Sequence, residues 1–100
     1  MKFYGTMICG DTIHADKVLR KNKIEVEYID ITAKTRFMKE FLALRDSRVE
    51  FDKAKSDGKI GIPAFLLDDG TIEFDVYKLE GVTEKIDEDK EDEAPQMCGF

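Results

Sequence analysis

The first thing missing from this chain is a second cysteine where one would be useful. Residues 6–12 read T-M-I-C-G-D-T, and the third place after Cys9, where a redox dithiol carries its partner, holds Thr12. Two cysteines in 100 residues, Cys9 and Cys98, are too few and too far apart for a disulfide framework. Metal ligands are scarce as well. Cys9 and His14 are the one close pair of soft donors, and five residues apart they do not share a helix face, so no metal is expected. No stretch approaches the ~18 consecutive apolar residues of a membrane span. The opening M-K-F-Y-G-T carries no apolar signal-peptide core, which gives a cytoplasmic expectation without membrane contact. A basic patch and internal repeats are also lacking, and the first absence argues against a nucleic-acid partner.

What is there begins with acid, and its position matters more than its total. The net charge is −6. Residues 84–93, E-K-I-D-E-D-K-E-D-E, contain seven acids and two lysines and so contribute −5, leaving −1 for the other ninety residues. The acidity belongs to a tail, and the organisation expected is a domain over residues 1–82 followed by a disordered acidic segment over 83–100.

Periodicity supplies the elements. K-F-Y at 2–4 reads as a short strand ending at Gly5. From Gly10 the pattern is helical, with Ala15, Val18 and Leu19 inward, until N-K at 22–23 breaks it. I-E-V-E-Y-I-D-I at 24–31 reads as a strand, and Thr32 as the N-cap of the next helix. That helix carries the stripe Phe37, Met38, Phe41 and Leu42, read as core packing, and is interrupted by R-D-S-R at 45–48. A short helical piece with Phe51 and Ala54 runs to the turn S-D-G at 56–58. A-F-L-L at 64–67 is the best buried strand. D-D-G-T at 68–71 is a hairpin turn, T-I-E-F closes the hairpin, and Asp75 caps a last short helix with Val76 and Leu79 inward. The order β-α-β-α-β-β-α is an α/β fold in which the first two strands are parallel.

That order, with Cys9 at the start of the first helix and Pro63 opening the third strand, resembles the thioredoxin fold and more narrowly the glutaredoxin-like proteins. The stretches that carry it are Y-G-T-M-I-C-G-D-T, I-E-V-E-Y-I-D-I and G-K-I-G-I-P-A-F-L-L-D-D-G. The resemblance implies a mixed four-stranded sheet flanked by helices, a cis Ile62–Pro63 bond beside the cysteine, and a monomer. It implies thiol–disulfide exchange through a single nucleophile, Cys9, with Thr12 as its hydroxyl partner. Glutathione would be the co-substrate, held by Gly10, Ile62, Pro63 and Asp75, and the partners would be glutathionylated or disulfide-bearing proteins. Departures accompany it. The dithiol motif C-P-x-C is C-G-D-T here, the lysine before the cysteine is replaced by Thr6-Met7-Ile8, the T-V-P triplet is Gly61-Ile62-Pro63, and a Gly-Gly pair after the fourth strand is replaced in Ile72-Glu73-Phe74-Asp75.

Cys9 has two readings at this stage, reactive thiol or buried filler. At a helix N-terminus the unpaired N–H groups and the dipole favour the thiolate, whereas Asp11 beside it opposes the charge. Gly10 either leaves room for a partner sulfur or is a tolerated glycine. A cis turn at Pro63 would leave the Ile62 N–H and C=O for a substrate backbone. His14 reads as a solvated helix residue and Cys98 as a candidate resolving cysteine on the tail. The alternative function is a non-catalytic binding module on the same fold.

Overall fold

A computed structural model of the chain describes residues 1–86. β1 (Lys2–Gly5) leads into α1 (Gly10–Lys21), followed by β2 (Glu27–Asp30) and α2 (Thr35–Ser47). A 3-10 turn, Val49–Phe51, passes directly into α3 (Asp52–Ser56), and β3 (Ala64–Leu66) and β4 (Ile72–Glu73) form the hairpin. A single 3-10 turn, Val76–Lys78, stands where a last short helix was expected. The result is a small α/β architecture with one four-stranded mixed sheet in the order β2-β1-β3-β4. β1 and β2 are parallel, and the two remaining pairings are antiparallel.

Strand alternation separates two cores. Phe3 and Phe65 are register partners, stacked with centroids 4.9 Å apart, and they join Ala15, Val18 and Leu19 of α1 with Val76 and Leu79. The next pair, Tyr4 and Ala64, belongs to the other cluster, with Ile29, Phe41 of α2, Phe51 and Ile72. α1 and the last 3-10 turn therefore cover one sheet face, and α2 with the Val49–Ser56 segment covers the other.

Several expectations need correction. The strand expected over 24–31 is confined to Glu27–Asp30. Lys23 turns at φ 57° and the Ile24 N–H returns to the Leu19 carbonyl at 2.9 Å, so the first residues of that stretch close α1 instead. Thr32 is not a helix cap. The Asp30 carboxylate takes both its N–H (2.9 Å) and its hydroxyl (2.7 Å), and α2 starts after Lys34. Arg45, Asp46 and Ser47 do not interrupt α2 but complete it. Met38, read as part of the buried stripe, is exposed, and Phe41 alone of α2 is fully buried.

Residues 83–86 stay attached to the domain. The Asn22 side chain donates to the Val18 and Glu84 carbonyls and accepts from the Thr83 and Glu84 N–H groups, at 2.8–3.0 Å. Ile86 packs on the α1-side core. The rest of the expected tail, residues 87–100, lies outside the described residues. Among the described residues no helix is long and apolar enough to cross a membrane.

Candidate functional site

Cys9 sits on a tight link between β1 and α1. Its N–H donates to the Thr6 carbonyl (3.0 Å), and its own carbonyl accepts the first intrahelical bond, from Ile13 (3.1 Å). It is the N-cap of α1, in extended conformation and with no side-chain cap bond. The sulfur thus stands at the helix end where the first-turn N–H groups have no intrahelical acceptors. Thr6, which the sequence reading noted only for not being lysine, pins this link. Thr32 gives its one hydroxyl proton to Asp30, so the buried Thr6 hydroxyl is the donor in the 3.0 Å bond to Thr32.

The Cys9 side chain is 0 % exposed and packs in the cluster that holds Tyr4, Phe41 and Ile62. It is disulfide-bonded, so the structure shows the oxidised form of this sulfur. Cys98, the candidate resolving residue, lies outside the described residues. Thr12 is fully buried, yet its Oγ1 has no hydrogen-bond partner, so the expected bond from Thr12 to the sulfur is not formed in this state. Its position is set by Gly5, where a Cβ would fall 2.6 Å from Thr12 Cγ2 and 2.8 Å from Oγ1. Gly5 is what lets α1 approach β1 this closely. Gly10 differs: a Cβ there would meet nothing within 4 Å, so packing does not require the glycine.

The facing wall comes from the entry to β3. Ile62–Pro63 is cis. Gly61 before it has φ 102°, and a Cβ there would press on the Phe51 ring at 2.9 Å. Among the described residues no backbone hydrogen bond uses the Ile62 N–H or C=O. Pro63 lines two clefts, of about 480 Å³ and about 440 Å³, and shares both with Asp11 and Phe74. The larger continues over His14, Glu73, Asp75, Tyr77 and Lys78, and the smaller over Glu50, Lys53, Asp57 and Lys59. Asp75 does cap the turn that follows, accepting from the Tyr77 N–H at 2.9 Å. His14 is not simply solvated: its Nε2 is 2.6 Å from the Tyr77 hydroxyl. No pattern within the first helix could announce a partner 63 residues away.

Beneath the site, the Tyr4 hydroxyl donates to Glu40 Oε2 at 2.7 Å, and Lys2 reaches the same oxygen at 3.3 Å. Burial and then the Glu40 carboxylate push the Tyr4 phenol well above its ordinary range. The Tyr4 hydrogen bond first, and Lys2 after it, hold the Glu40 carboxyl below its ordinary value. Cys9 and Ile62 therefore share one buried cluster, Thr6 and Gly5 fix the link and the close approach of α1, Pro63 lines both clefts, and Asp75 lies with Glu73 along the larger one.

No family model matches the chain, and no solved structure matches it. An uncharacterized protein of Haemophilus influenzae is similar to it. The two are 39% identical over 74 residues, which cover 72% of this chain and 84% of the relative.

Proposed function

We propose that this chain, which belongs to the family of that Haemophilus influenzae protein, is a thiol–disulfide oxidoreductase with a thioredoxin-like, glutaredoxin-related fold, acting through Cys9. The observation that carries the reading is the packing of Cys9, at a helix N-terminus, in one cluster with Ile62, whose backbone N–H and C=O make no backbone hydrogen bond among the described residues. A strand that offers one open N–H and C=O beside a cysteine can align an extended substrate chain with it.

In the reduced protein the Cys9 thiolate attacks one sulfur of a substrate disulfide. A new S–S bond forms, the old one breaks, and the departing thiolate takes a proton from solvent. A second thiol, glutathione in this reading, loses its proton to solvent and attacks the substrate-derived sulfur of the mixed disulfide; the bond to Cys9 breaks, the Cys9 thiolate is regenerated, and the two non-protein sulfurs leave joined as a disulfide. Thr12 has a place in the cycle. Its buried, unpartnered hydroxyl lies three residues along the helix from Cys9 and gains an acceptor when the sulfur becomes an anion. Such chemistry needs thiols kept reduced, which suits the cytoplasm. A non-catalytic binding module is the second reading, and the complete burial of Cys9 favours it.

The test is alkylation of the reduced full-length chain across pH, followed by mass mapping at Cys9. A thiol pKa below about 7.5 is expected, raised by Thr12→Val, and a value at or above ~8.5 would remove the catalytic reading.

A further inference from the structure

The two clefts beside Pro63 differ in charge. In the smaller cleft most of the charges are paired, within the cleft or with Arg48 outside its lining. Lys53 pairs with Asp57 at 3.2 Å and Glu50 with Arg48 at 2.9 Å, which leaves Asp11 against Lys59. Among the described residues lining the larger cleft, Asp11, Glu73 and Asp75 face one ammonium, Lys78, beside the His14 imidazole that meets the Tyr77 hydroxyl. Two backbone donors there are already occupied. The Phe74 and Asp75 N–H groups, two successive backbone donors, both point at Glu73 Oε2, at 3.1 Å and 3.0 Å. Paired N–H groups of this kind are a ready site for a carboxylate, and the chain has filled it with its own. A ligand carboxylate arriving here would have to displace Glu73 and would then leave a second negative charge beside Asp75. Apolar surface frames the approach, with Ile8 70% exposed and Met7 and Phe74 also open to solvent.

We infer that Glu73, with Asp11 and Asp75, makes the Cys9 site selective for disulfides that carry positive charge, against anionic ones. This rests on the thiol–disulfide reading and names its substrate class: a cysteine disulfide with a cationic group within a few ångströms of the sulfur, as in a basic polypeptide segment. The exchange step is unchanged. The Cys9 thiolate forms a mixed disulfide, and the cationic thiol is the leaving group. Glutathione, with two carboxylates and one ammonium, is the poorer partner on this account.

The probes are three symmetrical disulfides with equal two-carbon arms ending in ammonium, hydroxyl or carboxylate. Each is mixed with the pre-reduced full-length protein, and the adduct on Cys9 is followed by mass, with Cys9→Ser as the blank. The cationic probe is expected to react at least about tenfold faster than the anionic one at low salt, with the neutral probe between them and the spread narrowing as salt rises. Glu73→Gln and Asp75→Asn keep an acceptor for the backbone N–H groups but lose the charge, and together they are expected to cut the ratio at least threefold. Equal wild-type rates for the cationic and anionic probes would overturn the selectivity. So would a ratio that both substitutions leave intact. Absence of a Cys9 adduct with all three probes would instead overturn the oxidoreductase reading.

Discussion

The two faces of the sheet are held in different ways. On one, α1 buries Thr12, Ala15, Val18 and Leu19 along its length, against the stacked Phe3 and Phe65. On the other, α2 is one residue longer yet buries only Phe41, edge-on to Phe51 and tilted against Tyr4. The first face is apolar apart from the buried Thr12 hydroxyl. The second contains Cys9, Ile62 and the Tyr4–Glu40–Lys2 cluster. Packing is continuous along α1, and along α2 it rests on a single buried anchor.

Substitutions can break this contrast, and the largest effect should come from its single anchor. Phe41→Ala is expected to cost about 3–5 kcal/mol and to release α2 to hydrogen exchange ahead of the rest of the chain. Leu19→Ala, costing about 2–5 kcal/mol, should leave α1 protected because Ala15 and Val18 still hold it. Urea unfolding with amide exchange separates the two. Gly5→Ala comes next. Its methyl would collide with Thr12, for an expected cost of about 1–3 kcal/mol, whereas Gly10→Ala, with open space around it, should be neutral within about 0.5 kcal/mol. Asn22→Ala removes the clamp on residues 83–84 and is expected to cost ~1–2 kcal/mol, seen as faster exchange of the Thr83 and Glu84 amides.

The smallest effect is pH-dependent. Glu40 has a folded pKa below its unfolded one, so its contribution is present above the unfolded value of about 4.3 and is lost as pH falls through the folded value. Tyr4→Phe removes the main cause. It should lower stability at pH 7 by about 0.5–1.5 kcal/mol and flatten the acid side of the stability curve, as read by urea titration between pH 7 and pH 3.

How much of this was legible in the sequence follows the range of the interactions. The order of elements, the D-D-G hairpin and the Asp75 cap are local, and their residue types announce them. So do Cys9 at a helix start and Pro63 at a strand entry, and these brought the site into view. What escaped depends on partners far along the chain. Thr32 looks like an N-cap until Asp30 and Thr6 claim it. His14 looks solvated until Tyr77 arrives, and Gly5 looks like a strand end until Thr12 fills the space above it. Met38 carries the same apolar label as Phe41, and only the angle of α2 on the sheet puts one outside and the other inside. Glu73 was visible only as part of the stretch Ile72-Glu73-Phe74-Asp75 that lacks an expected Gly-Gly pair, and its carboxylate capturing the two N–H groups that follow was not.

The central claim is that the sulfur of Cys9 does chemistry and is not merely buried. The most direct test is thiol-dependent turnover of a small neutral mixed disulfide by the pre-reduced full chain, beside Cys9→Ser and Cys98→Ser. The account predicts turnover that vanishes with Cys9→Ser and survives Cys98→Ser. Turnover no faster than the uncatalysed exchange, or equal in wild type and Cys9→Ser, would contradict it.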